Sequence, residues 1–357
     1  MRSLGQSLAE DPQAWAQALG VSREAVEVYA SSAVIDLHID TFLWTRMLGY
    51  DPLVRHSSPI MGGPWLGHVD LPRLIEGGVT GAFWIVTTNP LRTGHGRLRA
   101  FERNVRHLST LLASSPQVAL CKTATDYVRA RAKGRHAAFF GVQGANAFDT
   151  DPGVLDRLDP GSISLVTLMH LSSSSLGRTS SPLGLGARGG LTQRGLQTIE
   201  QLNARRIFVD LAHINAAGFW DAVKVHDSSL PLLVSHTGVS AVYPHWRNVD
   251  DQQLRAIADT GGLVGIMYHG PFLGPRRALR SSDPVVDHLE HVVRLVGEDH
   301  AALGSDWDGA IRPPPDLNSC LNLPRLVERM LKRGWSPTRI HKILGDNVLR
   351  ALRQLRP

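Results

Sequence analysis

The chain has 357 residues, of which 43% are hydrophobic and 20% charged, a composition that is ordinary for a globular protein and excludes disorder as its main state. The net charge of +6 comes mainly from arginines scattered along the chain. Because no basic run or aromatic-interleaved basic stripe is present, we predict no nucleic-acid partner.

The amino-terminal residues include acidic side chains where a signal peptide needs a continuous apolar segment, and no later run of about 18 apolar residues follows. We therefore expect a cytoplasmic protein without a membrane partner. The Ala-rich segment at about residues 8–30 predicts helix, so we divide the chain into a helical extension, 1–31, and a main domain, 32–357. Cys121 and Cys320 lie far apart and predict two buried thiols rather than a disulfide.

From residue 34 onwards the chain repeats one pattern, in which a short apolar run is followed by a polar loop and a helical segment. This alternation is typical of a parallel sheet, and eight such units favour a closed (β/α)8 TIM barrel over an open doubly wound sheet. The predicted strands are 34–40, 80–86, 137–144, 163–170, 206–213, 231–237, 263–270 and 301–309.

The segments between the strands have helical periodicity, with Thr192 and either Asp250 or Asp251 as expected amino-terminal caps. Two connections are predicted as long loops, 41–70 after the first strand and 171–190 after the fourth. Because loops after barrel strands lie at the mouth, these two are expected to form a lid or substrate wall, or to be flexible filler.

Nearly every predicted strand ends in a polar side chain that could bind a metal or act in catalysis. The carboxyl ends of barrel strands meet at one rim, where active sites are built, and an uncompensated buried charge is costly elsewhere. We therefore predict one functional site at this rim. The side chains concerned are His38, Asp40, Gln143, His170, Asp210, His213, His236, His269, Asp306 and Asp308.

Five of these residues form a candidate metal site. His38 and Asp40 stand two residues apart, so both side chains lie on the same face of one strand. His213, His236 and Asp306 end three further strands, and imidazole with carboxylate is a ligand set that zinc accepts. Each histidine alone is more typical of a hydrogen-bonded structural residue, but together the five predict a metal centre.

The motifs at these positions resemble those of the membrane (renal) dipeptidase family, a group of amidohydrolase-like metal-dependent barrels, over about residues 32–355. The resemblance is carried by VIDLHID at the first strand, EGGV before the second, GGLTQRG, VDLAH, VSHTGV, RNVDDQ, LGSDWDG and GDNVLRAL. It implies a zinc-dependent hydrolase of a dipeptide or dipeptide-like small molecule, and it allows a homodimer.

The resemblance implies two metals. One is held by His38, Asp40 and Asp306, the other by His213 and His236, and a bridging glutamate binds both. Here Gln143 stands at the glutamate position. An amide offers one neutral oxygen where a carboxylate offers two anionic ones, so the bridge is lost and the repulsion between two dications is less well offset. We expect one tightly bound zinc ion, with His38, Asp40 and Asp306 as its ligands. The histidine pair would bind a second ion weakly or serve in acid–base or substrate-binding roles.

The resemblance also implies catalytic and substrate-binding roles. Asp306 would take the proton of the attacking water and pass it to the leaving amine, and His170 would stabilise the tetrahedral intermediate and contact the substrate. Arg247 would bind a substrate carboxylate, the alternative being a solvated loop charge. His269 is expected at the rim, either as a substrate contact or as an inert histidine.

The lost bridge leaves two functions open. The leading one is metal-dependent hydrolysis of a dipeptide-like amide. The alternative is a repurposed family member with a mononuclear metal site, which performs a tailoring reaction in a biosynthetic pathway or only binds a ligand. In both, Asp210 and Asp308 are expected to orient ligand histidines or to be structural.

Overall fold

The computed structural model describes residues 11–56, 65–89, 94–148, 150–151, 153–159, 161–182, 189–276 and 280–357. Its strands are β1 Ile35–Ile39, β2 Gly81–Thr87, β3 Val118–Leu120, β4 His136–Gln143, β5 Ile163–Thr167, β6 Phe208–Asp210, β7 Leu233–Thr237, β8 Leu263–Ile266 and β9 Ala301–Leu303.

Eight of these strands form the predicted barrel. They pair in parallel in the order β1, β2, β4, β5, β6, β7, β8 and β9. The barrel closes where the chain after β9 meets the end of β1, since Asp306 N donates to His38 O at 3.1 Å and Asp40 N donates to Trp307 O at 2.9 Å. The (β/α)8 fold is therefore confirmed. Strand β3, which pairs only with the start of β4, was not predicted, because three residues are too short to produce a pattern.

The helices surround the barrel. They are α1 Pro12–Leu19, α2 Arg23–Ser31, α3 Thr41–Leu48, α4 Leu71–Glu76, α5 Gly94–Ala113, α6 Ala124–Ala132, α7 Val154–Arg157, α8 Gln193–Ala204, α9 Ala216–Val225, α10 Asp251–Asp259, α11 Gly270–Leu273, α12 Asp283–Val296, α13 Leu323–Lys332, α14 Pro337–His341 and α15 Asn347–Leu355. The expected caps of α8 and α10 are confirmed, because the Thr192 side chain accepts from Gly195 N and that of Asp250 from Gln253 N.

Two sequence predictions of local structure need correction. The amino-terminal helical segment is two helices, since Gly20 adopts a left-handed conformation (φ 66°) that ends α1 and Ser22 caps α2. The predicted loop 41–70 begins with α3, whose Phe42 is fully buried. Residues 57–64 of that loop and 183–188 of the second long loop lie outside the described residues.

The described helices include none that is both long and apolar enough to cross a membrane. The cytoplasmic location stays a prediction. Cys121 and Cys320 are both buried and free of disulfides, as expected.

Successive side chains of each strand point to opposite sides of the sheet and so belong to two different layers of the core. In β2, Phe83 and Ile85 belong to a cluster inside the barrel, whereas Trp84 and Val86 belong to the larger cluster between the barrel and its helices. Inside, the rings of Phe83 and Phe139 stack at 5.1 Å, and Phe208 lies 6.4 Å from Phe83. The lumen is therefore filled with side chains, which leaves the rim as the place for a site.

A buried histidine at the start of β4 predicts a pH-dependent stability. The Nδ1–H of His136 donates to Val79 O at 2.9 Å, and its Nε2 accepts from Trp84 Nε1 at 3.1 Å. Burial lowers the pKa of His136 to about 4. Because the unfolded chain binds this proton near pH 6.5, the folded state loses stability as the pH falls from about 6.5 towards 4, by at most about 3 kcal/mol from this residue.

Urea unfolding of the wild type and His136→Gln between about pH 7.5 and 4.5, at equal metal content, measures this contribution. Glutamine keeps a donor and an acceptor but does not titrate, so the free energy of unfolding of the variant should depend less steeply on pH. Equal slopes in the two proteins would contradict the prediction, whatever the absolute stability of the variant.

Candidate metal centre

The barrel register brings a row of polar side chains to the rim. Thr87 pairs with Gln143, Gln143 with Thr167, and Thr167 with Asp210, each at or next to the carboxyl end of its strand. The candidate ligands lie beside this row and are all buried, with exposed fractions of 0% for His38 and His236, 3% for Asp40, 8% for His213 and 9% for Asp306.

Three of the candidate ligands form a compact cluster. His38 Nε2 lies 3.4 Å from Asp40 Oδ2 and 3.9 Å from Asp306 Oδ1, and the ligand atoms of the three residues all lie within 4.8 Å of one another. The Nε2 atom is buried without a hydrogen-bond partner of acceptable geometry. An orphaned imidazole nitrogen facing two carboxylates fits a divalent cation such as zinc.

The electrostatics of this cluster also fit a cation. Burial lowers the pKa of His38, but the nearby carboxylates of Asp40 and Asp306 outweigh it, so the pKa is raised. Burial raises the pKa of Asp306 to about 7. Burial also tends to raise the pKa of Asp40, but His38 and the Thr87 hydroxyl have the larger effect, so the pKa of Asp40 is lowered. Without a metal the cluster therefore retains protons, and metal binding displaces protons from its ligands.

The backbone around Asp306 is held in an unusual conformation. Asp306 and His213 adopt the left-handed region, with φ of 61° and 64°, which non-glycine residues seldom occupy and which recurs at functional sites. A Cβ atom at Gly309 would lie 2.3 Å from Asp306 Oδ1 and 3.0 Å from Asp306 O, so a larger residue there would push the Asp306 carboxylate out of its position.

The remaining two candidate ligands face Gln143. His213 Nε2 and His236 Nε2 lie 2.9 Å apart, and Gln143 Nε2 lies 3.1 Å from the first and 3.5 Å from the second. Burial holds the pKa of both histidines well below 6.5, so both imidazoles are neutral. Among the described residues, no group of three potential ligands within 4.8 Å includes His213. The amide nitrogen of Gln143, rather than its oxygen, faces the two imidazoles, and an amide nitrogen is a poor metal ligand.

His170 and Arg247 lie beside the histidine pair. The His170 ring is 4.9 Å from that of His213, its Nδ1 is buried without a partner, and burial lowers its pKa to about 4. Arg247 is 3% exposed, which excludes the solvated loop charge. Its Nη2 donates to His236 O at 2.7 Å, its Nε has no partner, and burial lowers its pKa to about 10. A cavity of about 230 Å³ is lined by His213, Arg247 and Trp246 among others.

His269 and Asp308 serve the surrounding loops. His269 Nδ1 accepts from Arg312 N at 2.9 Å, and its ring contacts Phe272 at 4.3 Å. Asp308 accepts from His68 N at 2.9 Å and has no contact with a ligand histidine among the described hydrogen bonds. A substrate contact of His269 stays a prediction, and Asp308 holds the loop that follows β9.

Two further residues of the site were not predicted from the sequence. The Thr87 hydroxyl donates to Asp40 Oδ1 at 2.5 Å, and the Ser235 hydroxyl lies 2.9 Å from His236 Nδ1. Thr87 ends β2 just as the candidate ligands end their strands, so its position could have revealed it. Ser235 precedes His236 on β7 and would be expected on the opposite face of a regular strand, so no pattern indicates it.

A (β/α)8 barrel with a buried imidazole–carboxylate cluster at its carboxyl rim defines the class of metal-dependent barrel enzymes. Within this class, the model of the membrane dipeptidase family (peptidase family M19) matches residues 22–356, and the chain belongs to that family. It is a metal-dependent, dipeptidase-like hydrolase.

Relatives support this placement over most of the chain. The protein in the pqqA 5′ region of Klebsiella pneumoniae is 33% identical over 255 residues, which cover 70% of this chain and 93% of that protein. Dipeptidase verJ of Clonostachys rogersoniana is 28% identical over 345 residues, covering 92% and 86%. A metallopeptidase from Rhodobacter sphaeroides, crystallised with a phosphinate mimic of the dipeptide L-Ala-D-Ala, has a TM-score of 0.78 at 26% identity and covers 90% of this chain and 99% of its own.

Proposed function

We propose that the protein hydrolyses a dipeptide or dipeptide-like amide with one tightly held zinc ion on His38, Asp40 and Asp306. The observation that carries the proposal is the buried cluster of these three side chains, in which His38 Nε2 has no other partner. Three protein ligands with a further open position are the usual arrangement of a catalytic zinc site.

Zinc, when bound, supplies the Lewis acidity that makes water nucleophilic near neutral pH and polarises a carbonyl. The Asp306 carboxylate accepts the proton of the attacking water and passes it to the leaving amine. His170, as a neutral imidazole, donates an N–H to the oxyanion that develops on the carbonyl. Arg247, whose Nε has no partner, binds the substrate carboxylate.

The histidine pair has a different role in this proposal. The Gln143 amide nitrogen lies within 3.5 Å of the Nε2 atoms of both His213 and His236, which are themselves 2.9 Å apart, so a second zinc ion has to displace these contacts. We propose that the pair binds a second ion only weakly. The neutral imidazole of His213 instead lines the cavity beside Arg247 and contacts the substrate there.

The test is a hydrolysis assay combined with metal analysis. Protein purified without chelators is analysed for zinc, loaded with zinc or manganese, and incubated with a panel of L-L, L-D and dehydro-dipeptides. We expect about one tightly bound zinc ion per chain, release of free amino acids, and competitive inhibition by a phosphinate dipeptide mimic of the kind bound to the Rhodobacter relative. Two tightly held zinc ions, or no cleavage of any dipeptide, would contradict the proposal.

One observation favours the repurposed alternative, a family member that no longer hydrolyses peptides. The amide of Gln143 faces the histidine pair where the family resemblance implies a bridging carboxylate. Absence of turnover in the wild type, together with dipeptidase activity in Gln143→Glu, would select this alternative.

We also propose that two copies of the chain form a homodimer in the cytoplasm. Light scattering coupled to size-exclusion chromatography should give twice the mass of one chain. A monomer mass at micromolar concentration would contradict the dimer.

A further inference from the structure

A buried carboxylate lies next to the metal centre without touching its histidines. Asp210, the last residue of β6, is fully buried, and Oδ1 accepts from Ser235 N at 2.8 Å and Ala212 N at 3.0 Å. Its Oδ2 accepts from Ser235 Oγ at 2.6 Å and from the Thr167 hydroxyl. Four donors thus fix the carboxylate. Among the described hydrogen bonds, Asp210 reaches a candidate ligand histidine only through Ser235.

The Ser235 hydroxyl connects this carboxylate to both halves of the metal centre. Ser235 is fully buried, and its Oγ lies 2.9 Å from His236 Nδ1 and 3.5 Å from His38 Nδ1. A serine hydroxyl has one hydrogen, and here it is donated to Asp210, because a carboxylate can only accept. The oxygen therefore accepts from the two imidazoles, so that each Nδ1 carries a hydrogen and each Nε2 presents a lone pair.

Metal binding through Nε2 needs the Nδ1–H tautomer. For His38, the nearby carboxylate of Asp40 favours the other tautomer. His38 Nε2 lies 3.4 Å from Asp40 Oδ2, so an imidazole without other partners would place its hydrogen on Nε2 and donate it to that carboxylate. Nε2 would then have no lone pair for a cation. The Ser235 contact on Nδ1 works against this outcome, and the negative charge of Asp210 makes the imidazoles more basic ligands.

We infer that Ser235 and Asp210 are positioning residues that hold His38 and His236 as Nδ1–H tautomers, so that one hydroxyl prepares both halves of the centre for zinc. The inference rests on the proposed function, because it assigns the two histidines as metal ligands. It adds two residues that are not ligands but on which zinc affinity depends.

The test compares Ser235→Ala and Asp210→Asn with the wild type. Long-range proton–nitrogen NMR spectra of metal-free protein with ¹⁵N-labelled histidine report which ring nitrogen of each imidazole carries the hydrogen. His38→Gln and His236→Gln assign the signals. At a pH high enough for His38 to be a neutral imidazole, we expect Nδ1–H for both histidines in the wild type and Nε2–H for His38 in Ser235→Ala. Chelator competition should give a zinc Kd that is about 10- to 100-fold higher in both variants.

Ser164→Ala is the matched control, because Ser164 is also fully buried on a barrel strand but its described side-chain contact is with Arg356 at 3.4 Å, away from the metal centre. It should keep the wild-type tautomers and zinc Kd. Unchanged tautomers and an unchanged Kd in Ser235→Ala and Asp210→Asn would overturn the inference, even if both variants unfold at lower temperature. If the wild type binds no zinc, the proposed function fails, but the tautomers of the metal-free protein still test the inference separately.

Discussion

Replacing Asp306 with asparagine should lower kcat/KM for a dipeptide by about 10³-fold or more and abolish tight zinc binding. Asp306 Oδ1 lies 3.9 Å from His38 Nε2, and the residue is proposed both as a zinc ligand and as the group that transfers the proton. Asparagine keeps the shape and tolerates the left-handed backbone of this position, where φ is 61°, so the loss should come from the site rather than from misfolding.

The matched control is Asp308→Asn, two residues further along the same loop. Asp308 is fully buried and also has a left-handed backbone, but its carboxylate binds His68 N and the Thr41 hydroxyl rather than a candidate ligand. Steady-state kinetics and zinc content should stay within a few fold of the wild type in Asp308→Asn and collapse in Asp306→Asn. An Asp306→Asn protein that retains stoichiometric zinc and near-normal kcat would show that another residue carries both roles.

The residues that could be read from the sequence are those whose position in the fold follows from strand order alone. His38, His213, His236 and Asp306 end or follow barrel strands, and closure of the barrel brings such residues to one rim. The amide at position 143 was also visible in the sequence, and the division of the ligands around it, which depends on the chemistry of an amide and not on coordinates, stays a prediction.

Other parts of the site depend on side-chain geometry, which no sequence spacing gives. Arg247 lies in a loop segment whose sequence predicts a solvent-exposed side chain, yet the residue is only 3% exposed. Ser235 and Asp210 are 25 residues apart in sequence, and their hydrogen bond exists only because β6 and β7 are neighbours in the barrel. Local patterns also missed α3, where the chain turns directly from β1 into helix.

Changing Gln143 to glutamate should convert the centre from one tightly bound zinc ion to two. The amide of Gln143 directs N–H groups at His213 Nε2 and His236 Nε2, and its Oε1 lies 3.4 Å from the Thr87 hydroxyl. A carboxylate there cannot donate to the imidazoles, so their lone pairs become available to a cation. Its charge, about 4 Å or less from a dication, is worth several kcal/mol at an effective dielectric constant of about 20, so the second zinc Kd should fall by 100-fold or more.

Gln143→Met separates the two effects of that substitution. Methionine has nearly the same length and removes the amide donors, but it adds no charge, so the second ion should remain weakly bound despite the freed imidazoles. Metal analysis after dialysis should therefore give about two zinc ions per chain for Gln143→Glu and about one for both Gln143→Met and the wild type. If methionine alone allows tight binding of the second ion, the amide blocks the site. If the second ion still binds weakly in Gln143→Glu, the missing charge is not what would make the centre mononuclear.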